Sequence, residues 1–327
     1  MVPIEVKELI GSMEQPLETL LDDLRQDKTP DQSSLYHLSD LDADGTEQVR
    51  KTWSRLPEDV RLRLASRLMK MAEADFTLDF DAVFRVAMAD DSAAVREVAI
   101  EGLWEDQDVR LVPHLAERLR EDESASVRAA AAESLGRFIL LGELQKIRPK
   151  PRRMAYEALV EACQACDEDL TVQRRALESL AYVGNETVIA AIREAYASAE
   201  EKLRISAVFA MGRSADSRWE REVRDELFSI NPEMRYEAAR ACGELQLSEA
   251  VLMLEDLIED ADAEVQAAAI WALGQIGGDK ALEILERLSR TGDEALRTAA
   301  EAALEDFRFL HGDLDDIFGD PTEGPYW

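Results

Sequence analysis

One feature repeats through most of this chain at a nearly fixed interval. The segments Leu203 to Gly212, Met234 to Gly243 and Val265 to Gly274 start 31 residues apart, and Leu296-Arg297 follows after another 31. Towards the N-terminus the same apolar position falls at Val172, Val127, Val95 and Val60, at steps of 31, 45, 32 and 35 residues. Eight units result. A unit this short cannot bury its own apolar stripe, so the chain must stack neighbouring units to build a core.

Each unit reads as a helix pair. The apolar position is followed by Arg61, Arg96, Arg128, Arg204, Arg235 or Arg297, and by Gln173 or Gln266 in the other two units. Three residues before it stands Ser92, Ser124, Asp169, Asn231, Asp262 or Asp293, each able to accept a hydrogen bond from a free N–H of the helix that follows. Pro57 and Glu200 depart from that pattern. Amphipathic segments from Thr187 to Ser198, Trp219 to Phe228, Glu249 to Ile258 and Lys280 to Leu288 supply the other helix of each pair. Gly and Pro are few, which favours helices joined by short turns over strands.

The repeated Asp/Ser-x-x-Val-Arg-x-x-Ala-x-x-x-Leu-Gly pattern resembles HEAT repeats, in particular the short bacterial kind grouped with phycobilin-lyase-like HEAT proteins, over roughly residues 58 to 310. The resemblance implies an all-α, armadillo-like α-solenoid, a superhelix of stacked helix pairs. Residues 1–56 follow the pattern poorly and read as an N-terminal helical cap, with helices over Pro16 to Arg25 and Glu47 to Leu56 and a polar connection from Asp27 to Asp44. The repeats then occupy 57–310, and 311–327 reads as a flexible acidic tail.

The 45-residue step carries a basic insertion near 145–153, with Lys146, Arg148, Lys150, Arg152 and Arg153 interleaved with Pro149 and Pro151. It reads either as a linker between two halves or as a docking loop for an acidic partner. In the tail, Leu314, Ile317, Phe318, Tyr326 and Trp327 lie among acids. They form either a short docking peptide or a solubilising end that folds back on the last helix.

Charge excludes some functions. The formal net charge of -31 repels phosphate backbones and anionic lipid, so the whole chain is neither a nucleic-acid nor a membrane-surface binder. No apolar run approaches the roughly 20 residues that span a bilayer, the first residues lack a basic stretch followed by an apolar one, and three cysteines give no disulfide framework. A reducing, cytoplasmic compartment is expected.

Motifs for chemistry fail on inspection. Asp40, Asp42, Asp44 and Gly45 match the first half of an EF-hand loop, but its twelfth position is Lys51 in place of a bidentate carboxylate. Cys163 and Cys166 have the spacing of half a zinc site with no second pair nearby, and pack instead along one helix face; Cys242 falls at a repeated leucine position and is expected in the core. HEAT proteins of the deoxyhypusine hydroxylase type hold two irons through repeated His-Glu pairs, and His37, His114 and His311 stand in no such pair. The sequence therefore predicts no catalytic residue, no metal ligand and no cofactor. The rival reading is a HEAT-type enzyme or chromophore lyase, which repeated metal ligands or a bound pigment would support.

A protein partner is expected in the concave groove lined by the second helices. Counting the apolar residue as zero, positions two and six fall on one predicted exposed stripe. Its first half is acidic, with Glu97, Glu101, Glu133 and Glu178 set to attract a basic segment. Units five to seven place Ile205, Phe209, Tyr236, Arg240 and Trp271 there, residue types that favour interface anchors, although the same aromatics would serve to fill space between successive helices.

Overall fold

Residues 17–26 and 28–311 are described by the computed structural model, and every regular element among them is a helix or a single 3-10 turn. The chain is an all-α solenoid. It divides into two compact units, Met1–Ala158 and Leu159–Trp327, considered in turn.

The first unit begins with α1 (Leu17–Arg25), the short α2 (Gln32–Leu35) and α3 (Ala43–Trp53). Then follow α4 (Glu58–Ala74), α5 (Asp81–Ala87), α6 (Ala93–Gly102), α7 (Val112–Glu121) and α8 (Ala125–Glu143). Repeat helices α4, α6 and α8 carry Val60, Val95 and Val127, all buried, and pack side by side, while α5 and α7 pack against α6 and α8. The Asp-rich start of α3 is a helix cap. Asp42 accepts from the Gly45 N–H at 2.8 Å, so the helix begins where a calcium loop would still be turning.

Helix α9 (Pro149–Gln164) carries the boundary between the units. It corrects the reading of the basic stretch. The extra residues of the 45-residue step are helix, because α8 runs for 19 residues and α9 for 16. Lys150 and Arg152 occupy the first turn of α9, where positive charge opposes the helix dipole, and Arg153 follows directly. Arg152 folds back onto Glu143 at the end of α8, which offsets that conflict. Cys163 is half-buried on this helix, whereas Cys166 lies past its end and is exposed, so the two do not share a helix face.

The second unit continues with α10 (Leu170–Leu180), α11 (Glu186–Tyr196), α12 (Glu201–Arg213), α13 (Glu220–Asp225), α14 (Pro232–Glu244), α15 (Val251–Leu257), α16 (Ala263–Ile276), α17 (Asp279–Thr291) and α18 (Glu294–His311). Even-numbered helices again carry the repeat. They stack as one layer, α12 on α10, α14 on α12, α16 on α14 and α18 on α16. Odd-numbered helices α11, α13, α15 and α17 form the other layer, and Cys242 is fully buried where the repeat places leucine.

Glycine makes this stacking close. A Cβ on Gly212 would lie 2.8 Å from the Ala241 Cα, one on Gly243 2.9 Å from the Ala272 Cα, and one on Gly274 2.7 Å from the Ala303 carbonyl oxygen. These atoms are backbone or attached directly to it. No rotamer change relieves such contacts, so the repeat requires Gly at this position in three successive units.

In most units the residue after the apolar position ties the repeat helix to the turn before it. Arg96, Arg128, Arg204, Arg235 and Gln266 each donate to the carbonyl six residues earlier, at 2.7 to 2.9 Å. Two of these arginines also reach an aspartate of the following unit, Arg96 at Asp122 and Arg235 at Asp260, and Arg61 pairs with Asp90 in the same way. Burial raises the proton affinity of Asp122, but hydrogen bonds from Arg96 and the Ser124 N–H outweigh it and hold the carboxyl below its usual value.

Expected caps form at Asp169, Asn231, Asp262 and Asp293, which accept from Thr171, Glu233, Glu264 and Leu296 N–H groups. Ser92 and Ser124 sit at the cap position without making that bond. The Ser92 hydroxyl donates to Glu58 and the Ser124 hydroxyl pairs with Ser126, while Asp90 and Asp122 accept from the two serine N–H groups.

Two consequences are measurable. Replacing Arg96 by Ala leaves the Asp122 carboxylate, whose side chain is 1% exposed, with Arg118 and the Ser124 N–H, and lowers stability in urea titration by about 2–3 kcal/mol; an Arg96→Met/Asp122→Leu pair recovers part of this. A loss under about 1 kcal/mol for Arg96→Ala alone would contradict the seam described here. Gly274→Ala lowers the thermal midpoint, while Gly184→Ala, with nothing within 4 Å of its added Cβ, leaves it within about a degree or raises it.

Candidate protein interface

In the second unit the contacts between rings and charges on the repeat helices run through positions six and ten, one turn apart. Position two varies from unit to unit, half-buried at Arg174 and exposed at Ala267 and Thr298. Ile205, expected on the surface, is a core residue at 3% exposure. Tyr236 at the same position is half-buried on the flank of α14. Tight packing at Gly212 and Gly243 covers this flank, a constraint that helical geometry within one unit does not contain.

Positions six and ten hold a ladder of rings and charges. The Arg213 guanidinium lies 5.4 Å from the Phe209 ring centroid on α12, and Arg240 on α14 lies 4.5 Å from the Trp271 ring on α16. Glu244 joins the two halves, with Arg213 at 3.3 Å and Arg240 at 3.6 Å. One step on, Gln275 donates to Asp306 at 3.2 Å, again between position-ten residues of neighbouring units. Trp271 also lies over Gly243, so a side chain there would displace the ring. Phe209, Arg213, Arg240 and Trp271 are all partly buried, each keeping some surface in solvent.

Glu178 sits on α10 beside this ladder. Ser206, buried on α12, donates to it at 2.6 Å and accepts from Arg174 at 2.9 Å, while Arg175 reaches Glu178 at 2.9 Å. Glu178 is thus the centre of a satisfied network, which reduces its availability to a partner. Glu237 on α14 has the opposite character. Burial pushes its carboxyl up to about 7; Arg240 opposes the shift, and Glu178, Glu244 and Glu233 add to it.

The first unit presents a different surface. Glu101 and Glu133 are exposed at position six of α6 and α8, and Glu97, half-buried at position two, accepts from the Ser126 hydroxyl at 2.6 Å. Glu101 and Glu133, with Glu73 of α4, border a cleft of about 630 Å³ whose apolar walls include Met69, Ile100 and Trp104. Trp104 is 43% exposed and meets Phe76, 71% exposed, edge-on at 6.2 Å. Burial raises the Glu101 carboxyl above its usual value, and the charges of Glu97, Glu133 and Glu73 raise it further.

Several of these residues lay outside the expected stripe. Arg213, Glu244 and Gln275 become visible in the sequence when the i, i+4 step is continued from position six to position ten. Trp104 takes the place that glycine holds in later units, a substitution legible at the same repeat position. Phe76 and Glu73 have no such signal, since they depend on how α4 ends. The tail residues Leu314, Ile317, Phe318, Tyr326 and Trp327 lie outside the described residues.

Among the described residues no group of three or more His, Cys, Asp or Glu is placed to hold a metal ion. No helix among them is long and apolar enough to cross a membrane.

Comparison with known proteins agrees with this architecture. The profile of HEAT repeats matches residues 81–149 and 221–305, so these two segments carry HEAT repeats. The match is to HEAT repeats in general and does not single out the phycobilin-lyase-like kind. No curated protein matches the sequence significantly. Importin beta, solved in an ammonium sulfate condition, is similar at 15% identity and a TM-score of 0.49, over 92% of this chain and 46% of that one. A designed armadillo repeat protein in complex with the peptide (KR)4 is similar at 22% identity and a TM-score of 0.40, over 60% and 99%. Human deoxyhypusine hydroxylase in complex with glycerol gives 20% identity and a TM-score of 0.35, over 90% and 97%.

The raised carboxyl of Glu237 has a measurable sign. The folded chain holds this proton more tightly than the unfolded one, so the group favours folding at low pH and that contribution is lost as pH rises from about 4.5 to about 7. Glu237→Gln therefore raises the thermal midpoint by a few degrees at pH 8, equivalent to about 1–2 kcal/mol, and leaves it unchanged near pH 4.5. An equal shift at both pH values would show that the charge is not the cause.

Proposed function

We propose that this chain is a non-enzymatic scaffold or adaptor that holds a protein partner along the outward stripe of its repeat helices, in a reducing, cytoplasmic compartment. The observation that carries the reading is the ladder of Phe209, Arg213, Glu244, Arg240 and Trp271. Each ring is held by a guanidinium, and both guanidinia share one carboxylate. The side chains are thus ordered before any partner arrives, which lowers the entropy lost on binding. They keep part of their surface in solvent, and Trp and Arg are among the residue types that most often dominate interface energetics. Tyr236 on the flank of α14 widens the surface. Exposed Glu101 and Glu133, with Glu97 beside them, favour a partner that carries positive charge.

The reading is tested by recovering partners from the native cytosol on the immobilised protein and identifying them by mass spectrometry. A partner bound by the intact chain and by an exposed Glu259→Gln control is lost with Phe209→Ala/Trp271→Ala, each truncation weakening binding by about 2 kcal/mol or roughly 30-fold. Retention by the double variant with loss from a chain ending at Leu310 assigns binding to the tail instead. Retention by both variants removes the proposed interface.

A further inference from the structure

A groove of about 420 Å³ stays open between α1, the loop that follows it, α2 and α4. Its floor is apolar: Leu24 of α1, Leu35 of α2 and Val60 and Leu64 of α4 are core residues that line it, and the half-buried Leu62 forms one bank. Among the described residues every charged side chain that lines the groove is basic. Two of them are matched, Lys28 by Asp23 and Arg63 by Asp59. Arg67 and Lys70, about one helical turn apart on α4, are not. Arg67 donates to the Pro30 carbonyl at 2.6 Å, which fixes the guanidinium at the groove without neutralising it. The Asp31 carboxyl is held below its usual value chiefly by Ser34 and Ser33, and Arg67 contributes least to that. Lys70 is exposed and makes no ion pair or side-chain hydrogen bond among the described residues.

We propose that this groove receives an acidic segment of a partner protein, one that carries a large apolar side chain between carboxylates. The apolar side chain lies on Leu62 and the floor beside it, and the carboxylates meet Arg67 and Lys70. Burial of the apolar group supplies most of the affinity, since an exposed ion pair contributes little, while the two cations select the sign of what binds. The rest of the chain sharpens that selection. Its formal net charge of -31 repels an acidic segment over most of the surface, so such a segment settles where cations gather around an apolar floor. A bare phosphate has nothing to bury there. Leu62, Ser66 and Lys70 are positions two, six and ten of α4, and position six of α6 and α8 carries Glu101 and Glu133. The inference deepens the protein-binding reading and rests on it, adding in the first unit a contact of opposite sign to those two glutamates.

The test is isothermal titration calorimetry of the full chain at physiological ionic strength, where long-range repulsion is screened. The probe is an unlabelled heptapeptide with leucine at its centre, two aspartates on each side and serine at both ends. One matched peptide replaces each aspartate by asparagine, and another replaces the leucine by serine. The intact chain binds the first peptide and each matched one about tenfold or more weakly. Arg67→Gln/Lys70→Gln weakens binding by about tenfold, whereas the exposed pair Lys202→Gln/Arg221→Gln, which removes the same charge elsewhere, changes it by less than about twofold. Retained circular dichroism and thermal midpoints qualify each variant. Because Arg67 also holds the loop at Pro30, Lys70→Gln is measured alone: it leaves the fold untouched and still weakens binding several-fold, and Lys70→Arg restores it.

Equal losses in the two double variants would mean that net charge alone governs the peptide and would overturn the proposal. So would equal binding of the aspartate and asparagine peptides, or no effect at Lys70. Binding that emerges only in a chain ending at Leu310 would give the groove to the chain's own tail, and saturable heat with laurate but none with the peptide would give it to an amphipathic small molecule; both overturn a partner segment as the occupant. In those cases capture of a partner that depends on Phe209 and Trp271 would leave the broader reading intact. Loss of that capture together with groove-specific peptide binding would instead remove the ladder and keep the groove.

Discussion

Contact between one repeat helix and the next governs the second unit. Backbones approach at Gly212, Gly243 and Gly274 to a distance that excludes even a methyl group, so each helix lies close against its neighbour at these points. Everything else there follows from that separation. The seam buries Ile205 and brings Arg240 of one helix over Trp271 of the next. Larger residues at the glycine positions would separate the helices and break the bridges through Glu244.

The turns between helices are held by a second, more tolerant device. Arg or Gln after the repeated apolar residue bonds to a main-chain carbonyl, which every residue provides, so the turn sequence is free to vary. Aspartate adds an ion pair where it is present, at Asp90, Asp122 and Asp260. Ser198 and Ser229 stand at the corresponding place in other units, and the carbonyl bond persists there without the ion pair. Buried ion pairs contribute little net stability once desolvation is counted, whereas the main-chain bond satisfies a group that would otherwise be orphaned.

Much of this was legible in the sequence. The period, the helix pairs, four of the six caps and the burial of Cys242 follow from spacing and residue type. The Ser92 and Ser124 caps were misread because both hydroxyls are engaged elsewhere, with Glu58 and with Ser126. Ile205 was misplaced because one helix taken alone has a single buried face, while a helix in a tight stack has neighbours on both flanks. The basic stretch at 145–153 looked like an inserted loop because its prolines mark a break; Pro149 instead opens α9, where a missing N–H costs nothing. The cleft in the first unit depends on Trp104 standing where other units have glycine, and on the end of α4, neither of which periodicity supplies.

The glycine seam also makes the repeats interchangeable parts. Gly212 faces the Ala241 Cα, and Gly243 faces the Ala272 Cα one period later. Lifting out residues 234 to 264 whole would bring Ala272 to the place that Ala241 held, alanine for alanine, against the same glycine. A chain assembled on such equivalent junctions can gain or lose a unit in a single genetic event without inventing a new contact. Its length, and with it the number of side chains offered along the stripe, becomes a property that selection can adjust in steps of 31 residues.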